Sequence, residues 1–93
     1  MDIFLHGLES SSRGTKSCYF HDRFPDIIIP DFQGSLEQRM QDLRQHLKGS
    51  SDIRIIGSSF GGLMAAIYAM ENEDCVKEII LLAPALHILN QVL

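Results

Sequence analysis

Four short apolar runs, each closed by a turn-forming residue and separated by a longer amphipathic stretch, set the strongest limit on the fold. They read "DIFLHG" (2–7), "DIIIPDF" (26–32), "DIRIIGSS" (52–59) and "KEIILLAPA" (77–85). Isoleucine content and a length of about five or six residues favour strands. Near-continuous apolarity, rather than alternation, is the pattern of strands covered on both faces, as in a parallel sheet. The stretches between them carry helix signals. Ser35 and Gln38 form a capping box ahead of "SLEQRMQDLRQHLKG", and Gly49 stops that helix. Leu36, Met40, Leu43 and Leu47 recur at spacings of 4, 3 and 4, which is a helical stripe. A run at 60–73, "FGGLMAAIYAMENE", is apolar almost all round and suits a helix laid against the sheet, and a further helix is expected from Thr15 to Arg23. Strand–helix–strand alternation with short connections implies βαβ units and an α/β layered sheet. Ligands of such sheets bind at the carboxyl ends of the strands.

A chain of 93 residues holds at most one domain. At this size folding buries about 60–65% of the surface of the unfolded chain, so stability is marginal. With 45% hydrophobic and 22% charged residues the composition is that of a globular protein. A net charge of −4 argues against nucleic acid, whose phosphates call for a basic face. No segment approaches the roughly 18–20 apolar residues of a membrane span. The N-terminus "MDIFLHGLES" has neither a basic leader nor a long apolar core, so no secretory signal and no membrane association are expected. Cys18 and Cys75 do not form a disulfide framework, and reduced thiols in a cytoplasmic protein are expected.

Gly57-Ser58-Ser59-Phe60-Gly61 matches G-x-S-x-G with Ser59 at its centre. A nucleophilic serine at a sharp strand-to-helix turn needs small residues two positions to either side, where backbones cross. Both are glycine here, and Gly62 gives further room for helix packing. A β-branched strand leads in and a helix-forming run leads out. Phosphate loops fit less well. No Lys or Thr follows Gly61 or Gly62, and position 59 is not the glycine of a dinucleotide fingerprint. "GLESSSRGTKS" (7–17) spaces Gly7 and Gly14 by seven rather than five, and Thr15 separates Gly14 from Lys16.

"FLHGLESS" (4–11) supports the serine reading, because it places His6 and Gly7 at the end of the first strand. Acyl transfer needs backbone N–H donors aimed at the developing oxyanion. Phe60 N–H, just after the nucleophile, is the first expected donor, and Leu8 N–H is the second.

With both motifs in hand, the chain resembles the α/β-hydrolase superfamily and, more narrowly, small bacterial esterase-like proteins of the YqiA/YcfP type. The resemblance rests on "FLHGLESSSRGTKS", "IIIPDFQGS", "IIGSSFGGLMA" and "IILLAPAL" in that order and covers essentially all 93 residues. It implies a three-layer α/β sandwich with a mainly parallel sheet of about four strands in the order second, first, third, fourth. Leu8 and Ser59 then meet at the switch point. It also implies that His6 shapes the oxyanion loop, that Asp31 is a structural loop aspartate, and that the substrate is a carboxylic ester or thioester. No metal or organic cofactor is implied.

A serine nucleophile needs a base, usually a histidine oriented by a carboxylate. In this superfamily acid and histidine follow the serine in the chain. Asp74 precedes the fourth strand and so falls at the wrong end of the sheet, roughly 15–20 Å from Ser59 for a strand of that length. Glu71, Glu73 and Glu78 share the fault. His87 follows the strand at the correct edge, and is the candidate base on position alone. His21 and His46 fall in predicted helices. The superfamily's sheet continues with further strands, whereas "ALHILNQVL" closes this sequence as an apolar stretch beside an edge strand. The expectation is therefore one incomplete domain, 1–93, the N-terminal half of a hydrolase that has its nucleophile but lacks its acid and base. Weak or absent activity in isolation is expected. The alternative is a non-catalytic interaction module, joined to a second copy or to a complementing C-terminal half.

Overall fold

The computed structural model describes residues 1–8 and 11–83 of the chain. Its elements are β1 (Asp2–Leu5), α1 (Thr15–Arg23), α2 (Leu36–Leu47), β2 (Ile53–Ser58), α3 (Phe60–Glu71) and β3 (Val76–Leu82). The three strands form one parallel sheet in the order β1-β2-β3. Register pairs Phe4 with Ile56 and Ile56 with Ile80, so those side chains share a face.

Alternate residues of the strands feed two cores. On one face Phe4 and Ile56 pack with Ile27 and, from α1, with Phe20; the Phe4 and Phe20 rings lie 4.8 Å apart. On the other, Ile3, Leu5, Ile53 and Ile55 meet Met40, Leu43 and Leu47 of α2 and Met64, Ala65 and Tyr68 of α3. The helical stripe of α2 is thus the buried stripe, with Leu36 partly covered. Its capping box forms as expected: Gln38 N–H donates to Ser35 Oγ at 3.2 Å, and Ser35 N–H donates to Gln38 Oε1 at 2.7 Å. Gly49 ends the segment at φ 78°, a left-handed turn that suits glycine. Helices on both faces make three layers.

The run 26–32 departs from expectation. It is not a strand; its one sheet contact is a parallel bridge between Ile28 and Ile3. Phe4 N–H donates to Ile28 O at 2.9 Å, and Ile28 N–H donates to Asp2 O at 3.0 Å. The next donor a parallel ladder requires is residue 30, and Pro30 has no N–H. The ladder stops after one step. The bridge still lies on the β1 edge, where the expected order placed a second strand, so the sheet has three strands rather than about four.

The fourth apolar run is a strand, β3, but not one buried on both faces. Ile79 and Ile80 are 37% and 40% exposed. Among the described residues it stands at the edge of the sheet, next to β2 alone.

Candidate active site

Ser59 occupies the turn between β2 and α3 with φ 57° and ψ −119°. This is outside even the small left-handed helical region, and a residue with a Cβ is held there only by its surroundings. Those surroundings are glycine. A Cβ on Gly57 would lie 2.6 Å from the Gly61 carbonyl oxygen and 2.7 Å from Gly62 Cα. A Cβ on Gly61 would land on the Leu5 carbonyl and press the His6 carbonyl. The start of α3 therefore sits directly on the end of β1, with no room for any side chain between them. Ser59 N–H donates to Leu82 O at 3.0 Å, which ties the turn to β3 as well. The serine itself is exposed, whereas Gly61, Gly62 and Leu63 just after it are buried.

The β1–α1 loop closes on the same point. A Cβ on Gly7 would be 3.3 Å from Ser59 Cβ and 3.7 Å from Ser59 Oγ. Among the described residues, neither the Leu8 nor the Phe60 N–H donates to a backbone carbonyl, as befits a loop and the first turn of a helix.

His6 is buried and fastens this loop. Its Nε2 lies 2.8 Å from Asp31 Oδ1 and its Nδ1 lies 3.0 Å from Gly7 O. Each ring nitrogen already faces an oxygen, so no ring lone pair is turned toward Ser59. Asp31 also accepts from Ser12, at 2.8 Å from the amide and 2.7 Å from the hydroxyl. These hydrogen bonds, Ser12 first and His6 after, hold the Asp31 carboxyl below the usual carboxylate range.

Lys16 reaches in from α1, and its Nζ donates to Ser58 Oγ at 3.0 Å. Ser58 is only 4% exposed. Arg39 of α2 approaches from the opposite layer, its guanidinium carbon 5.8 Å from the centre of the Phe60 ring.

The structure thus brings Ser59, Gly57, Gly61, Gly62, Gly7, Phe60 and His6 together, with Leu8 next in the loop. Asp74 lies just before Cys75, whose carbonyl accepts from Ile53 N–H at the start of β2, the far end of the strand from Ser59. His87 lies outside the described residues. Among the described residues no three His, Cys, Asp or Glu side chains group as metal ligands, and no helix is long and apolar enough to cross a membrane. Two contacts escaped the sequence reading. Ser12 on Asp31 joins residues 19 apart that no motif links, and Lys16 on Ser58 joins residues 42 apart. By spacing alone Lys16 reads only as a misplaced phosphate-loop lysine.

A profile of the alpha/beta hydrolase fold matches residues 3–92. The chain belongs to that family. Among solved structures it is similar to an extracellular alpha/beta-hydrolase from a Paenibacillus species, described as sharing structural and functional homology with tobacco salicylic acid binding protein 2. The TM-score is 0.71 at 17% sequence identity, which speaks for the fold. The likeness covers 89% of this chain and 40% of that one. The curated proteins contain no match.

Proposed function

We propose that the chain carries the nucleophile of a serine esterase or thioesterase, with Ser59 Oγ as the attacking atom. The observation that supports this most directly is the Ser59 conformation, φ 57° and ψ −119° at an exposed strand-to-helix turn. A turn that only needed small residues would relax by placing glycine at that position. Here the strained position holds the hydroxyl, and the glycines lie around it.

In this reading Ser59 Oγ attacks the substrate carbonyl carbon and gives its proton to a histidine base. The oxyanion is met by the Leu8 and Phe60 N–H groups. Collapse releases the alcohol or thiol with that proton, and water then cleaves the acyl-serine. His6 is excluded as base by its two oxygen partners. The base and its carboxylate come from beyond the described residues: His87, or a histidine of a complementing segment. The partial coverage of the Paenibacillus hydrolase is consistent with such a segment. The YqiA/YcfP-type likeness and a cytoplasmic setting belong to the same reading, the latter supported by the free thiols Cys18 and Cys75.

Fluorophosphonate labelling followed by peptide mapping tests the nucleophile. Label on Ser59, abolished by Ser59→Ala, is expected. A folded chain that labels at another residue would sink the proposal, whereas silence fits a serine whose base lies on a complementing segment. Hydrolysis of p-nitrophenyl butyrate locates the base. Turnover lost in both Ser59→Ala and His87→Ala assigns it to this chain.

A second reading has one observation behind it. Ile79 and Ile80 stand partly exposed on β3, the edge strand beside the elbow. A non-catalytic module would use that edge to bind a second copy or a C-terminal half. Size-exclusion chromatography with light scattering separates the two, since a cooperative monomer contradicts a module built on that edge.

A further inference from the structure

A surplus of hydrogen-bond donors and positive charge collects beside the elbow. Lys16 has no place among the ion pairs of the described residues, which join His6 to Asp31, Arg44 to Glu71, and Arg54 to Asp2 and Glu78. Its ammonium has three hydrogens, and one goes to Ser58 Oγ. Ser58 accepts that bond, so its own hydrogen points elsewhere. Among the described residues no acceptor for it lies within reach, although the residue is 4% exposed. On the other side of the turn the Arg39 guanidinium stands over the Phe60 ring and, among the described residues, donates only to the Gly34 carbonyl. The nearby anion, Asp31, is already held by Ser12 and His6. Among the described residues this turn is cationic, on a chain of net charge −4.

We propose that Lys16 and the Ser58 hydroxyl form an anion subsite beside Ser59, so that the ester or thioester taken by this elbow carries a carboxylate or phosphate group. The assignment rests on the hydrolase reading for its substrate but not for its binding chemistry. An ammonium and a hydroxyl 3.0 Å apart can share one oxyanion by charge-assisted hydrogen bonds, which are stronger than neutral ones. Lys16 acts here in specificity. Its Nζ meets Ser58, the residue before the proposed nucleophile, while the residue itself stays exposed.

The test is an NMR titration of the Gly57, Ser58 and Phe60 amides with monomethyl succinate and with dimethyl succinate, which differ by one negative charge. Methyl phosphate forms a third arm and tells phosphate from carboxylate. Monomethyl succinate or methyl phosphate should bind saturably and at least about tenfold more tightly than the diester, the size of one charged hydrogen bond. Lys16→Met should erase that preference, Lys16→Arg should keep most of it, and Lys48→Met should leave it intact. Equal binding of acid and diester, absence of saturable binding by either anion, or a preference that survives in folded Lys16→Met would each overturn the proposal. Should Lys16→Met fail to fold, the wild-type salt dependence decides: a preference undiminished in 1 M salt (Debye length about 3 Å) contradicts an ionic subsite. Ser59→Ala should bind like the wild type. An inert Ser59 would therefore leave this result standing, and a failed titration would leave labelling of Ser59 untouched.

Discussion

At the amino ends of the strands, Asp2, Arg54 and Glu78 stand in register across β1, β2 and β3, with Arg54 donating to Asp2 at 3.1 and 2.9 Å. Helices α2 and α3 are joined nearby by Arg44 and Glu71. At the carboxyl ends, among the described residues, the one such pair joins the buried His6 to Asp31, and none joins two exposed side chains. Backbone there lies on backbone, glycine makes the contact possible, and one serine is strained. Left-handed backbone occurs at the amino end too, at Asp52 with φ 51°, but aspartate tolerates that region. The difference is one of replaceability. Surface ion pairs in high dielectric contribute little each, so the amino end tolerates change. The carboxyl end has fixed its geometry through contacts that admit no added atom.

That contrast is most easily broken at Gly61. Gly61→Ala should destabilise the chain by about 3 kcal/mol or more, since the methyl meets the Leu5 carbonyl and backbone cannot step aside as a side chain can. A urea melt measures it; a loss below about 1 kcal/mol would mean that the elbow is looser than it looks. A smaller effect of opposite sign is expected at Ser59. Ser59→Gly removes a strain of about 1–3 kcal/mol, less the entropy a glycine adds to the unfolded chain, and should stabilise by about 1 kcal/mol while ending fluorophosphonate labelling. Ser59→Ala keeps the strain and should melt like the wild type.

Acid sharpens the comparison further. Asp31 at one end and Asp2 at the other both titrate below the ordinary 3.8, the first through Ser12 and the second through Arg54. A depressed folded value stabilises the fold fully above the unfolded value and is lost as pH falls through the folded one. Stability should thus be level above about pH 5 and decline below about pH 4, and Asp31→Asn should flatten the part of that decline reported by the Gly7 amide. The smallest effect belongs to Glu71→Gln, which should cost no more than about 1 kcal/mol, diminishing in salt. A larger loss would show that the amino end is as exacting as the elbow.

Much of this could be read from residues. The α2 capping box and stripe, the α1 limits Thr15–Arg23, and the order strand, serine, helix around 53–71 follow from local rules of spacing and termini. The segment 26–32 could not be read the same way, because its isoleucines look like a strand and only the pairing geometry shows Pro30 falling on a required donor. That 77–85 holds a strand was legible, although β3 runs from Val76 to Leu82; its exposure was not, because apolar content says that a strand would gain from cover, not whether cover is there. At the site, Ser59 and its glycines were legible because they are adjacent in sequence. Ser12–Asp31 and Lys16–Ser58 join segments that only folding brings together.

By itself the sequence determined the element types outside 26–32, the place of the strained serine and the small residues it needs, since these depend on neighbours one to four positions away. Tertiary structure decided which strand ends meet, that both ring nitrogens of His6 are taken by Asp31 and Gly7, and that Lys16 reaches Ser58, the residue before Ser59. Hydrogen bonding and charge act across a few ångströms of space, and distance along the chain does not report that separation.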